Sequence, residues 1–147
     1  MMKRNFFTFL LILAIAACLP APSLAQQTER IILAGYKLEP AVPTAASGLA
    51  VVELKNDSLQ ISGDFSELSA PFYGAYIMFG EKGEAGNQLF TLNVNLSENR
   101  RSGVLKADEN TFVLSLLEKK LLQAGKFYIL ISSFDHQHGE IGGRISW

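Results

Sequence analysis

From Glu29 onward the apolar residues recur mostly at every second position, and no other feature of the chain narrows the choice of fold as much. A period of two belongs to strands with one buried and one wet face, so the chain is expected to be all-β. In Leu59-Gln60-Ile61-Ser62-Gly63-Asp64-Phe65, the residues Leu59, Ile61 and Phe65 face one way while Gln60, Ser62 and Asp64 face the other. Residues 49–54, Leu-Ala-Val-Val-Glu-Leu, precede this run. The intervening Lys55-Asn56-Asp57-Ser58 carries Asn and Asp, which tolerate tight turn geometry. Together they predict a β-hairpin.

Residues 73–80 put Ala75, Ile77 and Phe79 on one side and Tyr76 and Met78 on the other. Residues 90–96 read as one further strand burying Phe90, Leu92, Val94 and Leu96. The Gly-rich segment 80–86 between them lacks the Lys-Ser/Thr ending of a phosphate loop and follows no βα pattern, so it is a connector. Ser115-Leu116-Leu117-Glu118 fits a capping box, Leu117, Leu121 and Leu122 give an apolar stripe, and Gly125 is a natural stop. One short helix over an open end of the fold is expected there. Residues 127–133 and 140–147 read as two more strands, joined by a turn at 134–139. Gly142 and Gly143 weaken a strand interior unless something sits close against them. The spacing of strands and turns predicts an antiparallel Greek-key β-sandwich, immunoglobulin-like in topology.

The chain opens Met1-Met2-Lys3-Arg4 and then runs almost without a polar atom from residue 6 to 17, the pattern of a secretory signal. That run is too short for an ordinary transmembrane helix, and no later apolar run comes closer, so an integral membrane protein is not expected. Ser23-Leu24-Ala25, after Pro20 and Pro22, has small residues at both recognition positions and predicts a mature chain beginning at Gln26. Residues 1–25 are then the signal peptide and residues 26–147 a single domain. Alternatively, Ile15-Ala16-Ala17-Cys18 resembles a bacterial lipoprotein box, with Cys18 lipidated and leading the mature chain. The expected location is secreted or periplasmic, or lipid-anchored in the second case. Cleavage after Ala25 removes the only Cys, so stability must come from burial and strand pairing. Losing Lys3 and Arg4 makes the formal net charge of −1 more negative, and the remaining cations are scattered, which argues against a nucleic-acid partner.

A set of segments in order resembles the CHRD domain, a family named for chordin and found in exported bacterial proteins. They are Leu38-Glu39-Pro40-Ala41-Val42-Pro43 with Ala46-Ser47-Gly48-Leu49-Ala50; Gly63-Asp64-Phe65-Ser66-Glu67-Leu68; residues 75–80 with Gly83 and Gly86; Ser102-Gly103; residues 122–128; and Gly139-Glu140-Ile141 to Ile145. The resemblance spans nearly the whole mature chain and implies a sandwich comparable in architecture with copper/zinc superoxide dismutase. It also implies departures. Where the family reads Ala-His-Ile-His-x-Gly, this chain has Ala75-Tyr76-Ile77-Met78-Phe79-Gly80, and where the family has a further histidine this chain has Ser132. The closing Gly-Glu-Ile-Arg-Gly is Gly139-Glu140-Ile141-Gly142-Gly143, with the Arg displaced to Arg144. Imidazoles alternating on one strand face suit a metal site, and here Tyr76, Met78 and Ser132 stand in their place.

If the family pairing of strands holds, Tyr76, Met78, Tyr128 and Leu130 point together and form an aromatic and apolar patch outside the main core. Such a patch is either a contact surface for a protein partner or a second small core covered by the helix or the N-terminal segment. His136 and His138 are the only histidines, and with Asp135 and Glu140 nearby they form an alternative metal site, although polar residues in a turn need no ligand to explain them. The chain has no nucleophile elbow, and Glu53 with Asp64 reads as two solvated strand residues rather than an acid and base pair. The expectation is a non-catalytic binding or structural module, with no cofactor implied. A metal-binding or redox domain using His136 and His138 is the alternative.

Overall fold

The computed structural model describes residues 26–147. The expected signal, both cleavage sites and Cys18 lie outside the described residues. The strands are β1 (Gln27–Ala34), β2 (Ser47–Lys55), β3 (Ser58–Ser66), β4 (Phe72–Phe79), β5 (Asn87–Thr91), β6 (Asn95–Leu96), β7 (Gly103–Leu105), β8 (Thr111–Val113), β9 (Phe127–Ser133) and β10 (Ile141–Arg144), with one α-helix, α1 (Leu116–Gln123). They form one curled antiparallel sheet in the order β5-β4-β9-β10-β1-β2-β3-β7-β6, with β8 also on β3.

The curl folds the sheet into two facing layers, β5-β4-β9-β10 and β1-β2-β3-β7-β6, which join where Ala34 pairs with Gly142. Leu33, Ala50, Val52 and Ile61 point inward from one layer and meet Ile77, Ile129, Ile131 and Ile141 from the other, all without solvent exposure. Each fully buried Leu or Ile contributes about 1.5–3 kcal/mol, which makes this shared interior the main support of the fold. The expected all-β sandwich is present, closed along one side by hydrogen bonds.

The hairpin is β2 and β3, paired from Ser47 with Ser66 to Lys55 with Ser58, and Asn56 takes the left-handed conformation at its turn (φ 56°). α1 has the expected capping box: Ser115 Oγ accepts from the Glu118 amide, and the Glu118 carboxylate accepts from the Ser115 amide. Its stop is Gly125 at φ 72°. Leu117 departs from the expected stripe, being 66% exposed, while Leu122 is buried. At 100° per residue these two lie about 140° apart around the axis, too far for so short a helix to bury both.

Residues 90–96 are not one strand. β5 ends at Thr91 on β4, and the chain then crosses to the other layer, where β6 pairs with β7. At the crossing the buried Asn110 side chain replaces a neighbouring strand. Its Oδ1 accepts from the Asn93 amide at 2.8 Å, and its Nδ2 donates to the Asn93 and Lys106 carbonyls at 3.0 Å each. The final strand is also shorter than expected, although the Ile145 amide still donates to the Phe127 carbonyl.

Candidate functional site

Pairing of β4 with β9 sets Tyr76 opposite Leu130 and Met78 opposite Tyr128, and pairing of β9 with β10 continues the two rows to Gly142 and Arg144. Directly opposed residues of antiparallel strands share a face, so these side chains form the outer surface of the β4-β9-β10 layer. Gly142 has a close neighbour, as a strand glycine requires: a Cβ there would meet a Leu38 methyl at 2.7 Å. Leu38 comes from the β1–β2 connection, whose Val42 amide donates back to the Gly35 carbonyl and folds it into a compact loop.

This loop is one wall of a groove, and residues 82–86 of the β4–β5 connection are the other. The groove has a volume of about 1140 Å³ and a floor that includes Tyr76, Met78, Tyr128 and Leu130. Leu130 is only 7% exposed, while Tyr76, Met78 and Tyr128 are half-buried. The β1–β2 connection, through Leu38, covers part of the patch, and α1 contributes nothing to its lining. The ion pair of Lys82 with Glu39, at 3.4 Å and largely exposed, links the two walls. Exposed pairs of this kind hold weakly, at about 0–1 kcal/mol.

Arg144 anchors the far end of the floor. Its Nη1 donates to the Gly80 carbonyl at 3.0 Å and the Gly125 carbonyl at 2.9 Å, and its guanidinium lies 5.2 Å from the centre of the Tyr128 ring. A cation held over a ring attracts it, so Arg144 helps to position Tyr128 in the groove floor. At the other end the Tyr76 phenol folds back over Gly74, where a Cβ would meet its oxygen at 2.1 Å. Gly74 pairs with Ser132, which is fully buried. The three positions where the resemblance places family histidines therefore share one region of one face.

His138 lines the groove and His136 sits half-buried in the turn, its amide donating to the Ser133 carbonyl. Glu140, expected as a possible third ligand, is fully buried and already engaged. Its carboxylate accepts from Thr44 Oγ1 at 2.6 Å, the Ser69 amide at 2.8 Å and Ser69 Oγ at 3.1 Å. Among the described residues no group of three or more His, Cys, Asp or Glu is arranged to hold a metal ion. Glu53 and Asp64 lie apart on the outer surface of the other layer, opposite Gln60 and Leu49 respectively.

Burial alone raises the Glu140 pKa, but the Ser133 hydroxyl beside it and the Thr44 and Ser69 donors outweigh that effect and hold it below the ordinary value. Ser133 Oγ is itself buried and makes no hydrogen bond of strict geometry. Through Thr44, Glu140 fixes the root of the loop that forms one groove wall. Sequence reasoning missed this role because both donors lie far from it in the chain, more than 70 and 90 residues away. It also missed Leu38 as a wall, although the Gly142-Gly143 pair was a signal that something packs closely there.

Among the described residues no helix is long and apolar enough to cross a membrane. A family model described as the CHRD domain matches residues 30–145. No curated protein and no solved structure matches the chain.

Proposed function

The chain belongs to the CHRD domain family, and from that premise we propose that it is an exported, non-catalytic module acting by protein contact through the groove over β4, β9 and β10. The observation that carries this reading is the groove floor. Two phenols, a thioether and a leucine side chain lie together there, three of them half-exposed, and Tyr76 and Met78 among them stand at two of the three positions where the resemblance places imidazoles. Amphipathic rings with an apolar body and a polar tip suit recognition of another protein surface.

The paired substitution Tyr76→Ser and Met78→Ser tests it. Both side chains stand outside the shared interior, so the thermal midpoint is expected to shift by only a few degrees. Cross-linking capture from the native envelope or medium is expected to fall about tenfold, the loss of one good anchor. Unchanged capture by the folded variant would refute the reading, and wholesale unfolding would show the floor to be a second core instead.

Export rests on the leader pattern of residues 1–25. Mass spectrometry of the protein from its native source is expected to find an N-terminus at Gln26. A diacylated Cys18 would replace release with anchoring, and an intact Met1 would end the export proposal.

A further inference from the structure

The outer surface of the second layer carries apolar side chains where the alternation calls for polar ones. Register across β1, β2, β3 and β7 sets Ile32, Leu49, Asp64 and Val104 in one row. Ile32 is 52% exposed, Leu49 40% and Val104 48%. The next row holds Arg30, Val51 and Ser62. Isolated exposed hydrophobic residues need no explanation, but several aligned across adjacent strands form a continuous surface. This face belongs to the layer away from the groove, and nothing in the groove's role accounts for it.

We propose that this face is a two-fold contact between two copies of the chain. Two of its charges argue for that occupant. Arg30 on β1 and Asp64 on β3 flank the apolar centre on opposite sides, and neither has an ion pair or side-chain hydrogen bond among the described residues. Consider a two-fold axis along β2, lying between two facing sheets. It places β1 of each copy over β3 of the other, and Leu49 and Val51 over their own counterparts. Arg30 then stands one row from Asp64 of the second copy, a step of about 7 Å along a strand, which an arginine side chain spans. Symmetry forms the pair twice, and sheets packed face to face in this way lie about 10 Å apart. The same axis sets Glu53, on the outer face of β2, over its own counterpart, a like-charge contact that makes the dimer a weak one.

Sedimentation equilibrium of the mature chain over a wide concentration range tests the proposal, with thermal melts confirming that each variant is folded. The wild type is expected to dimerise at the upper concentrations. Leu49→Lys should be monomeric throughout, and Arg30→Glu or Asp64→Arg should each weaken association about tenfold by setting like charges together. An equimolar mixture of Arg30→Glu with Asp64→Arg should associate as well as the wild type, because each charge then meets its opposite across the axis. A wild type that stays monomeric at every concentration overturns the proposal. So does a Leu49→Lys variant that still dimerises, or a mixture that fails to recover. None of these variants touches the groove, so capture through Tyr76 and Met78 should be unaffected by them.

Discussion

Replacing Glu140 with alanine is expected to lower folding stability by about 2–4 kcal/mol, which corresponds to a fall in thermal midpoint on the order of 10 °C. The carboxylate is buried among donors from three parts of the chain: Thr44 in the β1–β2 connection, Ser69 in the β3–β4 connection, and Ser133 at the end of β9. Removing it leaves the Ser69 amide and two hydroxyls without their acceptor and opens a cavity among these connections. Glu140→Gln keeps the shape but places an NH₂ among donors, so an intermediate loss of about 1–3 kcal/mol is expected. Chemical denaturation at neutral pH separates the three proteins.

The same residue sets an acid limit. Its pKa is lowered in the folded state, whereas in the unfolded chain it ionises near the ordinary value of about 4.3. The folded state therefore binds the proton less readily than the unfolded state. Its contribution is fully present above the unfolded pKa and is lost as pH falls through the folded one. The stability gap between wild type and Glu140→Gln should be constant from neutral pH down to about 5 and close below about 4. A gap that widens on acidification would contradict the assignment.

Asn110→Ala carries the second large effect, an expected loss of about 2–4 kcal/mol. Asn110 is fully buried and joins both polar groups of the Asn93 backbone and the Lys106 carbonyl, at the point where the chain leaves one layer for the other. Asn110→Asp should do little better, since two carbonyls would then face a carboxylate in place of an amide donor. Asn93→Ala is the control. Asn93 enters this contact through its backbone, so its substitution should remove only the exposed bond to the Glu109 carbonyl and cost a few tenths of a kcal/mol. Hydrogen exchange provides the local readout, with the Asn93 amide exchanging much faster in Asn110→Ala and little changed relative to its neighbours elsewhere.

Fold class, hairpin and helix were legible because their causes are local. The alternation of Leu59, Ile61 and Phe65, the Asn56 turn, and the Ser115 to Glu118 cap with Gly125 each act within a few residues, so the chain displays them directly. Residues 90–96 misled for the same reason. Their alternation persists across the crossing, and what divides them is the Asn110 side chain arriving from 17 positions further on. Leu117 looked buried because periodicity does not say how much of a short helix meets the core.

Alternation along β4 and β9 also assigns Tyr76 and Met78 to one face and Tyr128 and Leu130 to one face, since the side-chain period of a strand is fixed by backbone geometry. Whether those two faces coincide depends on register, which one residue of slip would reverse, and the tertiary structure decided it by pairing Tyr76 with Leu130 and Met78 with Tyr128. The groove walls, the seat of Leu38 on Gly142, and the donors around Glu140 were likewise decided only in three dimensions. A local pattern dictates which side of a strand a residue occupies. Only closure of the sheet determines what stands opposite it.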